Sequence, residues 1–336
     1  MGAPTVSVVM PTYNRVDQLR AALESLAGQH GLDGPLEVIV VSDGSTDGTD
    51  QYLSSPAVPL PLIALTQPNA GPAAARNRGI EAARGELVLF IDDDTVADPG
   101  LAAAHLRRHA GPDDDLVVIG PMLTPDDHAI SPWVQWEQDM LTKQYDAMRD
   151  GVYEATARQF YTGNASVARR HLLDVGGFDP TFRRAEDVEL AYRLADRRLR
   201  FAFEPTAVVH HYADRSFDAW LAAGYAYGRN DVVFGRDHGR GWLLEAIGRE
   251  FHDRHVLVRG VTRACLPRPR LGRVTSAALA RSARLLGRTG AARPLLSAVY
   301  NLAYYRGMAD ELGSADRLFE LFDGTDVAAV LETSTR

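Results

Sequence analysis

An α/β fold with a mostly parallel sheet and a C-terminal helical appendage is what this chain predicts, on three observations. Through the first hundred residues, short apolar runs suited to buried strands alternate with stretches of helical spacing. Three of those runs end in polar loops, Pro11 to Arg15, Ser42 to Asp47 and Asp92 to Asp94. From about Phe217 onward the pattern is helical, broken at Pro267, at Pro269 and between Gly287 and Pro294.

Each element has its own reason. Val6 to Met10 is a strand stopped by Pro11-Thr12, and Val16, Leu19, Leu23 and Leu26 recur on one helix face. Glu37 to Val41 is a second strand, ending in a turn-rich loop whose Ser and Asp residues cap the next helix. Leu60 to Leu65 is a third strand, and Asn69-Ala70-Gly71-Pro72 turns into a helix over Ala73 to Ala83. Leu87 to Ile91 is the fourth, opened by Gly85-Glu86. A helix over Asp98 to Ala110, a strand over Leu116 to Gly120, an acid-led helix from Glu186 and a strand over Phe201 to Val209 follow. The last dozen residues read as frayed. Repeated βα units imply parallel pairing, with ligands outside the carboxyl ends of the strands, so the three polar loops converge on one edge.

Asp92-Asp93-Asp94 is the most informative run, because three carboxylates at the end of a buried strand must be solvated, paired or neutralised. A solvated acidic turn is one reading. The other is a divalent cation, since hard oxygen ligands suit Mg²⁺ or Mn²⁺ and such ions bridge to substrate phosphates.

Size and composition narrow the classes. At 336 residues, 46% hydrophobic and 24% charged, the chain suits one large domain over 1–215 plus an appendage over 216–336. No apolar stretch is long enough to cross a bilayer, and no basic and apolar leader precedes Val6, so a cytoplasmic protein is expected. One cysteine, Cys265, excludes an internal disulfide framework and a cysteine zinc cluster. Despite a net charge of −8, the window Arg254 to Arg306 holds eleven arginines and no Asp or Glu. That window suits a surface facing anionic lipid, a helical face that neutralises an acidic body, or contacts between copies of the chain. No nucleic-acid partner is expected.

Taken together, Val8 to Arg15, Val41 to Asp47, Gly71 to Gly79, Asp92 to Asp94, Gly163-Asn164, Gly176 to Asp179, Glu186-Asp187 and His210 make the chain resemble a family 2 glycosyltransferase of the GT-A fold. These segments stand in the family's order over roughly residues 4–212. The resemblance implies a nucleotide-sugar donor, bound Mn²⁺ or Mg²⁺, and transfer with inversion. It makes 1–110 a nucleotide-binding half and 111–215 an acceptor and catalytic half.

The resemblance assigns Pro11, Tyr13, Arg15, Asp43, Arg76, Asp92 and Asp93 to the nucleotide. Tyr13 offers a face for a nucleobase. Asp43 is expected to accept from the N3–H of uracil, favouring UDP or dTDP. Arg15 and Arg76 offer forked donors to a diphosphate. Asp94 is the first choice as metal ligand, with Asp92 and Asp93 turned to ribose or metal-bound water. His210 is expected to join Asp94, with His211 on the opposite side of its strand. Asp187 is the expected base, taking the acceptor hydroxyl's proton. Asn164, Asp179 and Glu186 are candidates for sugar hydroxyls. Trp133 and Trp136 suit either an acceptor platform or one helix face packed on the sheet.

Two departures matter. The Gln-x-x-Arg-Trp signature of processive members is absent, which argues for single-sugar transfer, and Thr95 stands where an acid is common. A sugar-nucleotide pyrophosphorylase would show a Gly-rich basic loop after the first strand, where this chain has Pro11-Thr12-Tyr13-Asn14. A degenerate transferase serving as a membrane-surface or oligomerisation protein is the other alternative. The acceptor stays open among lipid-linked glycans, natural products, peptides and growing glycans.

Overall fold

The computed structural model describes residues 5–111, 115–182, 184–212, 215–287 and 290–332. They form two units, Met1–Ala129 with Met140–Ala213, and Ile130–Asp139 with Asp214–Arg336. The second unit therefore takes in a ten-residue segment that a single cut at 215 leaves in the catalytic domain.

The first unit opens with β1 (Val6–Thr12), α1 (Val16–Ala27), β2 (Leu36–Asp43), α2 (Thr49–Ser54), β3 (Leu62–Gln67), α3 (Pro72–Ala82) and β4 (Leu87–Ile91). It continues with β5 (Thr95–Ala97), α4 (Leu101–His109), β6 (Leu116–Ile119) and β7 (Met122–Leu123). Helix α5 (Pro132–Arg149) runs through the boundary between the units. Then come β8 (Asn164–Ala168), α6 (Arg169–Asp174), α7 (Glu186–Asp196), β9 (Arg200–Phe203) and β10 (Val209–His211).

Seven strands form the main sheet in the order β3-β2-β1-β4-β8-β6-β9. Pairing is parallel except at β8, which runs antiparallel to both β4 and β6. Strands β1, β2 and β4 are buried almost throughout, the pattern of a sheet covered on both faces. Their side chains Val8, Val38, Val40 and Leu89 form one core with Leu19, Leu23 and Leu26 of α1. Fully burying each contributes about 1.5–3 kcal/mol.

A smaller sheet, β5-β10-β7, stands just past the acidic run. It accounts for a difference from the expected strand Phe201 to Val209. The Glu204 carboxylate accepts from Thr206 N at 3.1 Å and Thr206 Oγ1, and Pro205 supplies no amide donor. The chain turns there. Its first half pairs with β6 in the large sheet, and its second half pairs with β5 and β7 in the small one.

The second unit is helical: α8 (Phe217–Asp237), α9 (Gly241–Asp253), α10 (Val256–Cys265), α11 (Pro269–Leu286), α12 (Ala292–Leu312), α13 (Ala315–Phe322) and α14 (Val327–Glu332). Residues expected to be frayed thus include a helix, and 333–336 lie outside the described residues. Helices α8 and α12 touch backbone to backbone. A Cβ on Gly228 would come 1.9 Å from Tyr304 O, and one on Gly307 2.0 Å from Tyr225 O, so only glycine permits the approach.

Trp133 and Trp136 belong to this unit, which corrects the expectation that they pack on the sheet. Trp133 meets Phe217 edge-on, and its indole donates to Arg215 O at 2.8 Å. Trp136 packs against Trp220 and Tyr300. These half-buried rings pack against the core of a helical bundle, not against the sheet. Among the described residues, no helix is long and apolar enough to cross a membrane.

Candidate active site

The carboxyl end of β4 delivers Asp92, Asp93 and Asp94 into one polar edge of the first unit, and the burial of Phe90 and Ile91 beneath them fixes their height. Their surroundings divide them.

Asp92 leans on Arg76 of α3, whose Nη2 lies 2.9 Å from its Oδ1. The other end of that guanidinium, Nη1, lies 2.9 Å from Glu186 Oε1 at the start of α7. Arg76 is 5% exposed and so braces two elements, instead of facing outward to a diphosphate as expected. Glu186 is buried and held by that brace, not presented to sugar hydroxyls. Burial works against the Arg76 charge, but Asp92, Glu186 and Asp187 more than offset it and raise its pKa.

Asp187, next along α7, has its Oδ1 accepting from Val188 N at 2.8 Å. Burial and then the neighbouring Glu186 charge push its pKa from the ordinary 3.8 up to about 7, against the pull of Val188 N–H and Arg76. The residue before the pair, Ala185, sits at φ 59, a left-handed conformation unusual without a glycine.

Asp93 is nearly buried and Arg15 Nη1 lies 3.1 Å from its Oδ1. Burial outweighs that arginine and raises its pKa to about 6. Asp94 goes the other way. Burial raises its pKa, yet the His211 imidazole and Arg15 together hold it down to about 2. Arg15 Nη1 also donates to Asp94 Oδ2. The arginine's expected partner was a phosphate, and here it lies on two carboxylates.

His211, not His210, stands beside Asp94, with Nε2 at 3.4 Å from Oδ1. Register is the reason. Strand β10 pairs antiparallel with β5, setting His211 opposite Thr95, next to Asp94 in the chain. His210 points to the other face, as alternate strand residues must, and its Nε2 lies 3.0 Å from Asp98 Oδ1.

The nucleotide-side loops are tied to one another. Asn14, at φ 53, accepts from Thr46 N at 2.7 Å and donates its own N–H to Ser45 Oγ at 3.1 Å. Asp47 accepts from Val16 N at 3.0 Å, capping α1 from a different loop. Tyr13 is left 50% exposed beside them, while Pro11 lies within β1 opposite Val41. Asp43 is buried. Its Oδ1 accepts from Gln67 Nε2 and Ala70 N, and its Oδ2 from Gly71 N, all at 2.8 Å. Most of its acceptor capacity thus shapes the 69–71 turn rather than waiting for a base.

Asn164 is fully buried, and its side chain is used up within the protein. Its Nδ2 donates to Pro121 O at 3.0 Å and Ala207 O at 2.7 Å, and its Oδ1 faces His105 Nε2 at 2.9 Å. It cannot reach a sugar, which corrects that expectation. Asp179 Oδ1 accepts from Thr181 N and Oγ1 at 2.9 and 2.7 Å, closing a turn ahead of α7 instead of offering itself to a hydroxyl. That turn is located by Asn77, which exchanges two hydrogen bonds with the backbone of Phe178 at 2.8 and 2.7 Å. Gly177, at φ 71, is needed there, since a Cβ would meet Asn77 Oδ1 at 2.4 Å. Asn77, Asn14 and Asp47 lie in segments the sequence marks, but their structural roles were not assigned there, because each acts on a residue brought near only by the fold.

Asp94 and His211 offer a carboxylate and an imidazole, and no set of three or more His, Cys, Asp or Glu among the described residues forms a ready cage for a metal. Mg²⁺ and Mn²⁺ need none, since they are held through one or two protein groups with phosphate oxygens and water completing the shell. The donor set fits such an ion.

Solved structures share this architecture. A mannosyltransferase from Pyrobaculum calidifontis in complex with GDP-Man and Mn²⁺ superposes with a TM-score of 0.62 at 22% identity, covering 93% of this chain and 88% of that one. S. aureus TarS 1-349 in complex with UDP gives a TM-score of 0.52 at 21% identity, covering 92% of each chain. The fold is GT-A. The model of glycosyl transferase family 2 matches residues 7–184, and the chain belongs to that family. A pre-mycofactocin glycosyltransferase of Mycobacterium tuberculosis is 30% identical over 227 residues, 66% of this chain and 46% of the relative. A validoxylamine A glucosyltransferase of Streptomyces hygroscopicus is 32% identical over 216 residues, 57% of this chain and 51% of the relative. The chain spans about half the length of these curated relatives.

Proposed function

We propose that this glycosyltransferase moves one sugar from a nucleoside diphosphate to an acceptor hydroxyl by a single inverting displacement that depends on Mn²⁺ or Mg²⁺. One observation carries the reading. On a single edge, Asp94 lies 3.4 Å from His211 while Arg76 ties Asp92 to Glu186, next to Asp187.

Asp94 and His211 would hold the metal, which when bound supplies Lewis-acid stabilisation of the departing diphosphate. Asp187 accepts the proton of the acceptor hydroxyl as its oxygen bonds to the anomeric carbon and the bond to the diphosphate oxygen breaks. A pKa of about 7 leaves a useful fraction of Asp187 ionised at neutral pH while keeping it basic enough to take that proton. Arg76 fixes Glu186 against Asp92 and so fixes where α7 presents Asp187. Arg15 neutralises Asp93 and Asp94 until phosphate oxygens compete for it.

For the donor base we retain uracil or thymine, stacked on Tyr13 and donating N3–H to the acceptor position left on Asp43 Oδ2. Guanine N1–H offers the same donor, so the choice falls to direct comparison. Thermal shift with UDP-, dTDP- and GDP-sugars in the presence of Mn²⁺ reads it, because ligand binding raises the melting temperature by mass action. The reading expects the largest shift with a UDP- or dTDP-sugar and loss of that shift on adding a chelator. A GDP-sugar preference, or a shift indifferent to metal, contradicts it.

A further inference from the structure

Helix α11 of the second unit has two apolar faces, and the fold uses one. Gly272, Ala280 and Ala283 are buried on the inward side, where a Cβ on Gly272 would lie 3.7 Å from Leu302 of α12. On the outward side, Leu271, Val274, Ala278 and Leu285 recur at i, i+3, i+7 and i+14, a single stripe of a 3.6-residue helix. That stripe lies in the open. Leu271 is 43%, Val274 68% and Leu285 83% exposed.

Arg270, Arg273, Arg281 and Arg284 run along the stripe. Three other arginines of the unit are occupied: Arg263 lies 3.2 Å from Asp323, Arg293 2.8 Å from Asp139, and Arg284 packs 4.8 Å over Trp133. Among the described residues, Arg270, Arg273 and Arg281 meet no carboxylate. No Asp or Glu lies between Arg254 and Arg306 to discharge them locally. On α10, Val256 is 67% exposed with Arg259 one turn on.

We propose that the outer face of α11 is a docking surface for an anionic phospholipid bilayer. Its apolar stripe enters the interface between headgroups and acyl chains, and Arg270, Arg273 and Arg281 pair with lipid phosphates. An exposed apolar stripe flanked by unpaired arginines is the pattern of a helix lying in a membrane surface. Charge complementarity favours lipid over a second copy of the chain, since apposing two such faces would set arginine against arginine. The inference is independent of the sugar transferred.

The test is co-sedimentation of the full chain with vesicles of phosphatidylcholine alone and with about one third phosphatidylglycerol. Wild type should pellet with the anionic vesicles only, and the binding should weaken as salt rises. Charge reversal in R270E/R273E/R281E should lower the partition coefficient on the order of a hundredfold, at about one contact's worth of attraction per arginine. V274S/L285S, which keeps every charge, should lower it roughly tenfold. All these side chains are exposed, so both variants should keep the wild-type melting temperature. Equal partition onto both vesicle types, or variants that bind like wild type, would overturn the proposal. So would a stable dimer in sedimentation velocity without vesicle binding, because a second copy would then cover the stripe.

Discussion

Asp94 and Asp187 are the same residue type on the same edge, and the protein drives them apart. Asp94 lies between an arginine and an imidazole and is held at about 2, so it stays charged at any physiological pH. Asp187 is half-buried beside Glu186, with its nearest arginine already shared with two other carboxylates, and is raised to about 7. Burial pushes both upward, and the difference lies in the cations each is given. In the function proposed above, the first carboxylate keeps a cation and the second takes a proton.

The strongest way to break the comparison is to remove the proton acceptor. Asp187→Asn should lower transfer by about 10²–10⁴-fold while leaving nucleotide affinity within about twofold, read from steady-state rates and calorimetry. Next is the brace. Arg76→Ala leaves Glu186 and Asp92 uncompensated and should cost about 3–5 kcal/mol of stability in denaturant unfolding.

A third prediction concerns stability and pH. Because Asp187 has a folded-state pKa above its ordinary 3.8, the folded protein binds the extra proton between about 4 and 7. Its contribution to stability therefore falls as pH rises through that window, and Asp187→Asn should be more stable than wild type at pH 8 by about 1–3 kcal/mol. Asp94 has the opposite sign, with its contribution lost as pH drops from about 4 toward 2. The smallest effects separate the histidines. His211→Ala should weaken Mn²⁺-dependent UDP binding by about 10–100-fold, and His210→Ala by no more than about twofold. Equal losses from both would mean that the Asp94 corner extends to Asp98.

These histidines also mark where sequence reasoning stops. The strands β1, β2 and β4 were legible because buried parallel strands are written as continuous apolar runs, and the Asp triplet because it interrupts one. The start of α7 at Glu186-Asp187 was legible because acids gather in the first turn of a helix. The face of His211 was not, since it depends on a strand break at Glu204-Pro205 and on pairing with Thr95, a hundred residues away along the chain. Asn164 looks like a ligand-binding residue in the sequence. Only the tertiary structure supplies Pro121, Ala207 and His105, which take both its amide protons and one lone pair of its oxygen. Trp133 and Trp136 belong to a unit built mostly from residues beyond 214, so no local pattern assigns them to it. Arg76 carries the same lesson: a forked cation suits phosphate and carboxylate alike, and the neighbour that decides comes from α7.

The most direct measurement is the pH dependence of kcat/KM for transfer at saturating Mn²⁺. A general base at Asp187 predicts an ascending limb of unit slope with an apparent pKa near 7, the protonation state of the free enzyme's base. A limb near 4, or a rate flat between about pH 5 and 8, would contradict the division of labour between Asp94 and Asp187.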